Sequence, residues 1–385
     1  MKALSEKVSG IASSATLDIA DRAKEMVREG IDVISLSIGE PDFDTPIHIR
    51  EACCEAIRRG ATHYAPSRGI PELLQAIAAK IRAENGFACS PDQVIATAGA
   101  KHAIAMAMEA CLNPGDEVIL LDPAWVSYEP CVQLAGGRVV HHRMSEKTFL
   151  PDDSLLDRIT GRTKMIVVNS PSNPTGSVFD KKALEIVADI CTDYELLAMS
   201  DEIYEKLVYG KEHISLASIG DMAGRTITIN GFSKAYAMTG WRLGYAVAPV
   251  EVIRQITKIQ QHGISHPTTF VMWGGVAALI GDQACVEIMK REFDARRRFL
   301  LDEFAELKVK SAPADGAFYA FINARGDDVD VAEFWLNKAR VAVTPGTAFN
   351  APGWIRISYA TAMPRLKEAM GRIRSVWNEA PDRKR

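Results

Sequence analysis

One lysine of this chain lies where lysines are uncommon, among small and apolar residues between two apolar runs. Lys234 belongs to the stretch 230–245, and the runs 226–229 and 245–248 beside it are apolar in the manner of buried strands. Buried lysines are rare unless they have a partner or a chemical role. A desolvated lysine has a lowered pKa and can act as a nucleophile that forms Schiff bases. On composition alone, a solvated lysine in a surface loop is an equally good interpretation.

Three other ionisable residues occupy costly positions. Asp201 follows the apolar run 196–200 and Arg356 lies inside the run 354–359, so each needs a partner. The planar guanidinium of Arg356 suits bidentate binding of a carboxylate. Lys101 lies at the start of a helix, where the helix dipole disfavours a cation, so we expect it to pair with a negatively charged group. The alternatives are a helix N-cap for Asp201 and a solvated first-turn residue for Lys101.

Several turns could hold a ligand. The strand 93–97 leads through Gly99 and Ala100 into an apolar helix, and such a helix start is an anion cradle because its backbone N–H groups point at one spot. Gly39 ends the strand 33–38, where a glycine permits close backbone approach to a ligand. Both patterns also occur in ordinary turns. Prolines on either side of Asn173 predict a rigid loop that can hold its amide in place.

The segment Ser-Lys-x-x-x-Met-Thr-Gly-Trp-Arg-Leu-Gly resembles the cofactor-lysine signature of the class I pyridoxal 5'-phosphate (PLP) aminotransferases, the aspartate aminotransferase family. The resemblance extends from residue 14 to about residue 377 and rests on five motifs in family order. It implies that Lys234 carries PLP as an internal aldimine and later moves the substrate Cα proton. It also implies that Arg242 binds the cofactor phosphate and that Ser233 supports it.

The same resemblance assigns the other cofactor contacts. Asp201 would keep the pyridine nitrogen protonated, while Asn173 and Tyr204 would donate hydrogen bonds to the phenolic oxygen. The remaining contacts would be a phosphate turn and an aromatic residue packed on the cofactor ring: Gly99, Ala100, Lys101 and Trp125. From its position at the end of a strand, Trp125 could equally belong to the core. Tyr64 would reach the phosphate of a neighbouring subunit, which implies a homodimer with shared active sites.

Substrate contacts follow from the resemblance as well. Arg356 and Gly39 would bind the α-carboxylate, and Asn173 and Trp125 would also contact the substrate. In the bacterial branch that the chain resembles, a lysine matching Lys101 and a Ser-x-Thr in the N-terminal arm receive the distal carboxylate. That arm would be supplied by Ser14 and Thr16. We therefore predict aspartate and glutamate as amino donors, with 2-oxoglutarate or oxaloacetate as acceptor, in a ping-pong reaction.

Other substrates and reactions stay open. In the bacterial branch that the chain resembles, a basic residue and a proline often precede the serine that matches Ser14. Here Ala12-Ser13 precede it, which argues against larger dicarboxylate substrates such as prephenate. An aromatic or broad-specificity aminotransferase is the alternative. The same residues also fit a PLP-dependent lyase that cleaves C–S bonds or runs other eliminations. A non-catalytic regulator with this fold carries an added DNA-binding domain, for which 385 residues leave no room.

Composition places the chain among ordinary globular enzymes. Hydrophobic residues make up 47% and charged residues 24%, and a net charge of −4 gives no electrostatic case for nucleic acid. The seven cysteines contain no C-x-x-C pair, which indicates reduced thiols in a reducing compartment. The first twenty residues lack an apolar core, and no apolar run reaches about 18 residues. We expect a cytoplasmic protein with no signal peptide, membrane span or metal.

The elements that must position these residues alternate between strands and helices. Seven strands, near residues 93, 117, 138, 164, 196, 226 and 244, predict an α/β fold with a mostly parallel sheet, whose last two strands could be antiparallel. This pattern fits fold type I of the PLP-dependent transferases. We expect an N-terminal arm (1–15), a large PLP-binding domain (47–299) and a smaller α+β domain (16–46 and 300–385). His141-His142 is interpreted as strand and surface, and Arg296-Arg297-Arg298 as a solvated helix face.

Overall fold

The computed structural model describes residues 5–11, 15–379 and 381. These residues form twelve α-helices: α1 (Glu6–Ser9), α2 (Ala15–Arg28), α3 (Ile47–Arg58), α4 (Pro71–Lys80), α5 (Ala100–Cys111), α6 (Tyr128–Leu134), α7 (Lys181–Asp193), α8 (Val250–Gly263), α9 (Thr269–Ile280), α10 (Ala284–Glu306), α11 (Asp328–Phe334) and α12 (Met363–Val376). Most carry one apolar face, whereas α9 is apolar on all sides and lies between α3 and α4.

The seven predicted strands form one sheet. In chain order they are β2 (Val94–Thr97), β3 (Glu117–Asp122), β4 (Arg138–Arg143), β5 (Thr163–Asn169), β6 (Leu197–Asp201), β7 (Thr226–Gly231) and β8 (Gly244–Val247). Their spatial order is β2-β8-β7-β6-β5-β3-β4, and only β8 runs antiparallel to its neighbours. The prediction of a mostly parallel α/β sheet is confirmed. The central strands are buried along their length because helices cover both faces.

Two smaller sheets stand apart from the large one. The first is antiparallel, in the order β11 (Thr344–Pro345), β12 (Trp354–Ser358) and β9 (Tyr319–Asn323). The second pairs β1 (Ile34–Ser35) in parallel with β10 (Val341–Ala342). The run 33–38 was predicted as a longer strand, but only Ile34 and Ser35 form the ladder, and Leu36 adds backbone hydrogen bonds to Ala342 and Ser358. One hydrophobic cluster joins Ile34 and Leu36 to β9, β12 and α12.

Helix α10 corrects one interpretation of the sequence. Phe293, Leu300 and Phe304 of this helix are buried, and Arg296, which was interpreted as solvated, is itself only 4% exposed. Of the three consecutive arginines, Arg298 alone has a strongly exposed side chain, at 65%. The solvated-face interpretation was wrong for Arg296 because a charge run does not reveal which of its members meets a buried partner. The predicted domain boundary at residue 299 falls inside this unbroken helix, and the domain limits stay a prediction.

The histidine pair divides between surface and interior. His141 is partly exposed and contacts Asp122, with its Nδ1 2.9 Å from the carboxylate oxygen, whereas His142 is 3% exposed. The surface interpretation was therefore wrong for His142. Within the described ranges, no single helix is long and apolar enough to cross a membrane; α9 and α10, bent by 79°, pass that test only when taken together, on length and composition.

Candidate active site

A cavity of about 390 Å³ opens at the carboxyl ends of the parallel strands, between the large sheet and β12. Eleven of the predicted site residues line it, and they come from every part of the chain: Gly39, Ala100, Lys101, Trp125, Asn173, Asp201, Tyr204, Ser233, Lys234, Arg242 and Arg356. The strand order brings them together because β5, β6 and β7 are neighbours and end at one edge.

Lys234 extends into this cavity from the loop between β7 and β8. Its Nζ donates a hydrogen bond of 2.6 Å to the carbonyl oxygen of Gly39 and lies 5.7 Å from the centre of the Phe318 ring. Burial lowers the pKa of Lys234 to about 8, with Glu40 opposing the shift and Arg356 adding to it. A neutral amine is therefore accessible near neutral pH, as a nucleophile or base requires.

Asp201 ends β6 on the cavity floor and is 3% exposed. Its carboxylate accepts a hydrogen bond of 2.6 Å from the Tyr128 hydroxyl and one of 3.3 Å from the backbone N–H of Ile203. Burial raises the pKa of Asp201 to about 6, and the Tyr128 hydrogen bond opposes that rise. A carboxylate of this kind is stabilised by a cation in the cavity, and its backbone contacts do not follow the N-cap pattern, since no helix follows it directly.

Arg356 points from β12 towards the same space and is 4% exposed. Its Nη1 donates 2.9 Å to the side-chain oxygen of Asn173, and its Nη2 donates 2.6 Å to the carbonyl oxygen of Ser37. The guanidinium carbon lies 4.7 Å from the centre of the Tyr319 ring. Burial lowers the pKa of Arg356, and among the described residues its Nε has no hydrogen-bond partner. These contacts hold the guanidinium in place at the cavity wall.

Two buried tyrosines complete the wall near Lys234. The hydroxyl oxygens of Tyr204 and Tyr319 are 2.8 Å apart, so one donates to the other. Burial raises the pKa of both tyrosines, which keeps both hydroxyls protonated as donors. Gly39 lies against this pair so closely that an added Cβ would stand 2.0 Å from the Tyr319 hydroxyl. Close backbone approach is therefore the reason for a glycine at position 39.

The turn that was predicted to bind phosphate lies where α5 begins. Gly99 caps α5 with a φ of +85°, and a Cβ there would stand 2.6 Å from Nη2 of Arg242. Arg242 itself donates 2.9 Å to the carbonyl oxygen of Thr239, and Ser233 is buried beside the cavity. The first N–H groups of a helix have no intrahelical acceptor. A guanidinium beside such N–H groups is an arrangement that suits a multiply charged anion.

Lys101 and Trp125 lie on the side of the cavity near α5. The Lys101 ammonium is 5.0 Å from the centre of the Trp125 ring, and the lysine side chain is exposed. Trp125 is half-buried and packs edge-to-face on Tyr128, with ring centres 5.3 Å apart. An apolar face and a cation thus stand next to each other at this end.

Four predicted residues lie elsewhere or are not described. Gly99 lies against the Arg242 guanidinium and does not line the cavity. Tyr64 is 91% exposed, with its ring centre 5.6 Å from that of His266. Ser14 is outside the described residues. Thr16 is the second residue of α2, and nothing is described of its side chain.

The cavity also has walls that the sequence analysis did not name. Tyr128 could have been found from its place three residues after Trp125, and Asn169 from its place at the end of a buried strand. Asn169 donates 3.0 Å to the carbonyl oxygen of Asp201 and accepts 2.8 Å from the N–H of Asn173, so it joins two predicted residues. No local signal marked the others: Ser37, Ile38, Glu40, Ile104, Ile203, Thr239 and Tyr319.

Comparison with known proteins gives a consistent picture. The family described as "Aminotransferase class I and II" matches residues 31–373. An aspartate/prephenate aminotransferase of Thermus thermophilus is 42% identical over 99% of this chain and 100% of its own length. An aspartate aminotransferase of Pyrococcus abyssi is 44% identical over 90% of this chain and 92% of its own length. The solved structure of an aspartate aminotransferase from Thermus thermophilus with maleate has a TM-score of 0.95 at 42% identity, covering 98% of this chain and 100% of that one.

Proposed function

Because the chain belongs to the class I and II aminotransferase family, whose enzymes are PLP-dependent, we propose that it transfers the α-amino group between aspartate or glutamate and a 2-oxo acid. One observation carries the proposal. A single cavity encloses Lys234, an amine whose pKa is lowered to about 8, together with the buried guanidinium of Arg356. Transamination needs both, one for the amino group and one for the carboxylate beside it.

The residues present fit PLP on structural grounds. The space that a Cβ at Gly99 would fill is kept open beside the Arg242 guanidinium, as a phosphate cradle requires. Asp201 presents a buried carboxylate with a raised pKa towards the cavity, as the partner of a pyridinium nitrogen requires. Lys234 lines the same cavity as these two groups.

Each residue would then have one task. When bound, PLP supplies an aldehyde carbon and a ring that withdraws electrons from the substrate Cα. Asp201 would hold a proton at the ring nitrogen, and Arg242 with the N-terminal N–H groups of α5 would bind the phosphate. Asn173 and Tyr204 would donate to the phenolic oxygen, and Trp125 and Ser233 would pack beside the ring and the phosphate.

Lys234 would perform the proton transfer. Its amine would be the group that holds the cofactor aldehyde. As a free amine, Lys234 Nζ would accept the substrate Cα proton as a base and give it back as an acid. A pKa of about 8 suits this double role, because a group that titrates near the working pH can act as base and then as acid.

Arg356 would fix the substrate orientation. Its guanidinium is already held by Asn173 and Ser37, so little conformational entropy is lost when it binds the α-carboxylate. Gly39 lies within reach of Lys234 and would contact the same carboxylate. With the carboxylate held there, the Cα–H bond can face the Lys234 amine.

Aspartate is favoured because a second cation is present. Lys101 is exposed at the cavity wall, where it could receive a distal carboxylate, and the Thermus thermophilus and Pyrococcus abyssi relatives are both named for aspartate. One of these names includes prephenate. The sequence argument against prephenate rests on Ala12-Ser13, which are outside the described residues, so a prephenate assay belongs beside the aspartate assay.

Replacing Lys101 tests the acidic-substrate proposal. We expect Lys101→Ala to lower kcat/KM for aspartate by about 1–2 kcal/mol of transition-state stabilisation, between the values of an exposed and a buried charge pair. Alanine and phenylalanine turnover should change much less. Lys181→Ala is the matched control, because Lys181 is also an exposed lysine in the first turn of a helix, at 72% exposure, but does not line the cavity. Equal losses for all donors would assign Lys101 to the phosphate or the fold.

The proposed function includes an oligomeric state and a cellular location for the protein. Tyr64 is a large aromatic residue with 91% exposure, which fits a residue that is covered by, or reaches into, a second subunit. We therefore propose a homodimer with shared active sites. All seven cysteines are free thiols, which supports a cytoplasmic location.

A further inference from the structure

The segment 39–46 carries Gly39 and has no regular secondary structure between β1 and α3. Side chains hold it instead of a backbone ladder. The Thr45 hydroxyl donates 2.6 Å to the carbonyl oxygen of Ala237, and Lys234 donates to the carbonyl oxygen of Gly39. On its outer side the segment meets α10, where Asp42 accepts a hydrogen bond of 2.7 Å from Nη1 of Arg296.

Arg296 is clamped at this contact. Its guanidinium carbon lies 5.3 Å from the centre of the Phe43 ring and 5.5 Å from that of Phe293. Its Nε donates 2.9 Å to Glu292, one turn earlier in α10. The aromatic rings and two carboxylates leave the guanidinium one orientation, and burial at 4% exposure keeps water from competing for the Asp42 contact.

The same guanidinium also reaches the strand of Arg356. Nη1 of Arg296 lies 3.4 Å from the carbonyl oxygen of Tyr359, three residues beyond Arg356 and just after β12. One nitrogen is therefore shared between the Gly39 segment and the end of β12. These are the two pieces of chain that carry the proposed contacts with the substrate α-carboxylate.

We propose that Arg296 is a positioning residue, which sets the spacing between Gly39 and Arg356 and so prepares the site for the substrate α-carboxylate. This inference rests on the proposed function. Arg296 lines no part of the cavity and touches no reacting atom. It acts through Asp42 and Tyr359, because a shift of the Gly39 segment relative to β12 changes the distance between the two proposed contacts with the α-carboxylate.

The test separates the α-carboxylate from the rest of the substrate. PLP-loaded wild type, Arg296→Met and Asp42→Asn are compared with Arg298→Met, a control on the same helix whose side chain is 65% exposed. Methionine keeps an unbranched side chain between the two rings and removes the hydrogen bonds. Two amino donors are used in the half-reaction: aspartate, and β-alanine, which has the distal carboxylate but no α-carboxylate. Succinate binding, measured by calorimetry, gives a readout that does not depend on turnover.

We expect kcat/KM for aspartate to fall about 10- to 100-fold in Arg296→Met, the size of effect that a small misplacement of a substrate produces. Succinate binding should weaken, β-alanine turnover should stay near the wild-type value, and Arg298→Met should behave as wild type. The double variant Arg296→Met/Asp42→Asn should lose less than the sum of the single losses, because both break one contact.

Equal losses for aspartate and β-alanine, or unchanged aspartate kinetics, would overturn the role of Arg296. If Arg296→Met does not fold, Asp42→Asn decides the question at a side chain that is 26% exposed. The proposed function and the positioning role of Arg296 would be contradicted by different results. A wild-type protein without transaminase activity would overturn the proposed function, whereas an active wild type with a normal aspartate to β-alanine ratio in the variants would overturn only the positioning role.

Discussion

At the scale of single residues, burial has turned ordinary ionisable side chains into reactive ones. Lys234 and Asp201 face one cavity, and their pKa values shift towards each other, to about 8 and about 6, for the same physical reason. Burial disfavours the charged form of both, so it lowers the pKa of an amine and raises that of a carboxylic acid. The Tyr128 hydroxyl keeps Asp201 from a larger shift by donating to it.

The lowered pKa of Lys234 predicts a pH dependence for cofactor capture. Above pH 8 the amine of the cofactor-free protein is mostly neutral, and below pH 8 its neutral fraction falls tenfold per pH unit. The rate at which cofactor-free protein binds PLP covalently should therefore rise with pH up to about 8 and then level off. Stopped-flow absorbance with added PLP measures this rate. A rise that continued to pH 10 would mean an unshifted lysine, and Lys234→Ala should show no covalent phase.

Asp201→Asn should retain PLP but slow the half-reaction with aspartate strongly. A neutral amide cannot hold a proton at the ring nitrogen, and loss of a buried charge pair of this kind costs several kcal/mol. Rapid-mixing kinetics with a single amino donor measures the effect, and PLP content measured after gel filtration shows that the cofactor remains. Near-native turnover would show that Asp201 is a structural residue.

At the scale of elements, the site depends on turns that join strands to helices. The β2–α5 turn brings Gly99 against Arg242, which itself has a φ of +53° in the loop before β8. Such backbone is uncommon for residues with a side chain and persists where surrounding contacts hold it. The loop of Lys234 and the turn of Gly99 therefore form one unit, although about 140 residues separate them in sequence.

Gly99→Ala should weaken PLP binding more than it destabilises the protein. An added Cβ would stand 2.6 Å from the Arg242 guanidinium and push it from the proposed phosphate position. Gly115→Ala is the matched control, since Gly115 also has a positive φ, +90°, but a Cβ there would meet nothing within 4 Å. Both variants should lose about 1–2 kcal/mol of stability from backbone strain, measured by thermal unfolding. Only Gly99→Ala should raise the Kd for PLP; equal PLP affinities would contradict the cradle.

At the scale of the whole molecule, the cavity lies between residues of the large sheet and residues of the small antiparallel sheet. Arg356 comes from the small antiparallel sheet, Lys234 and Asp201 come from the large one, and the Gly39 segment lies between them. Any relative movement of these parts would change the spacing of the proposed substrate contacts. Tyr64, which was predicted to contact a neighbouring subunit, is exposed and does not line the cavity of its own chain.

Subunit mixing tests whether active sites are shared. If Tyr64 serves the partner's phosphate, inactive Lys234→Ala subunits mixed with impaired Tyr64→Phe subunits should form hybrid dimers with one restored site. In such a hybrid, the intact Lys234 meets an intact Tyr64 from the other chain. Activity that rises on mixing is the expected outcome, with sedimentation to establish the dimer. A fully active monomer, or no rise in activity despite subunit exchange, would contradict shared sites.

The sequence alone determined those parts of the site that depend on short motifs. Lys234, Arg242 and Asn173 each belong to a compact run whose spacing is visible along the chain, and the seven strands were visible because buried parallel strands are continuous apolar runs. Asp201 and Arg356 were found because a charge within such a run needs a partner.

Tertiary structure decided the rest, because packing partners are distant in sequence and leave no periodic trace. The Tyr128 hydroxyl meets Asp201 across 73 residues, and the Asn173 amide meets Arg356 across 183. Arg296 looked like a member of a solvated charge run, yet it is buried because Asp42, 254 residues away, arrives at its guanidinium. A local pattern can show that a buried charge needs a partner, but only the fold shows which partner it has.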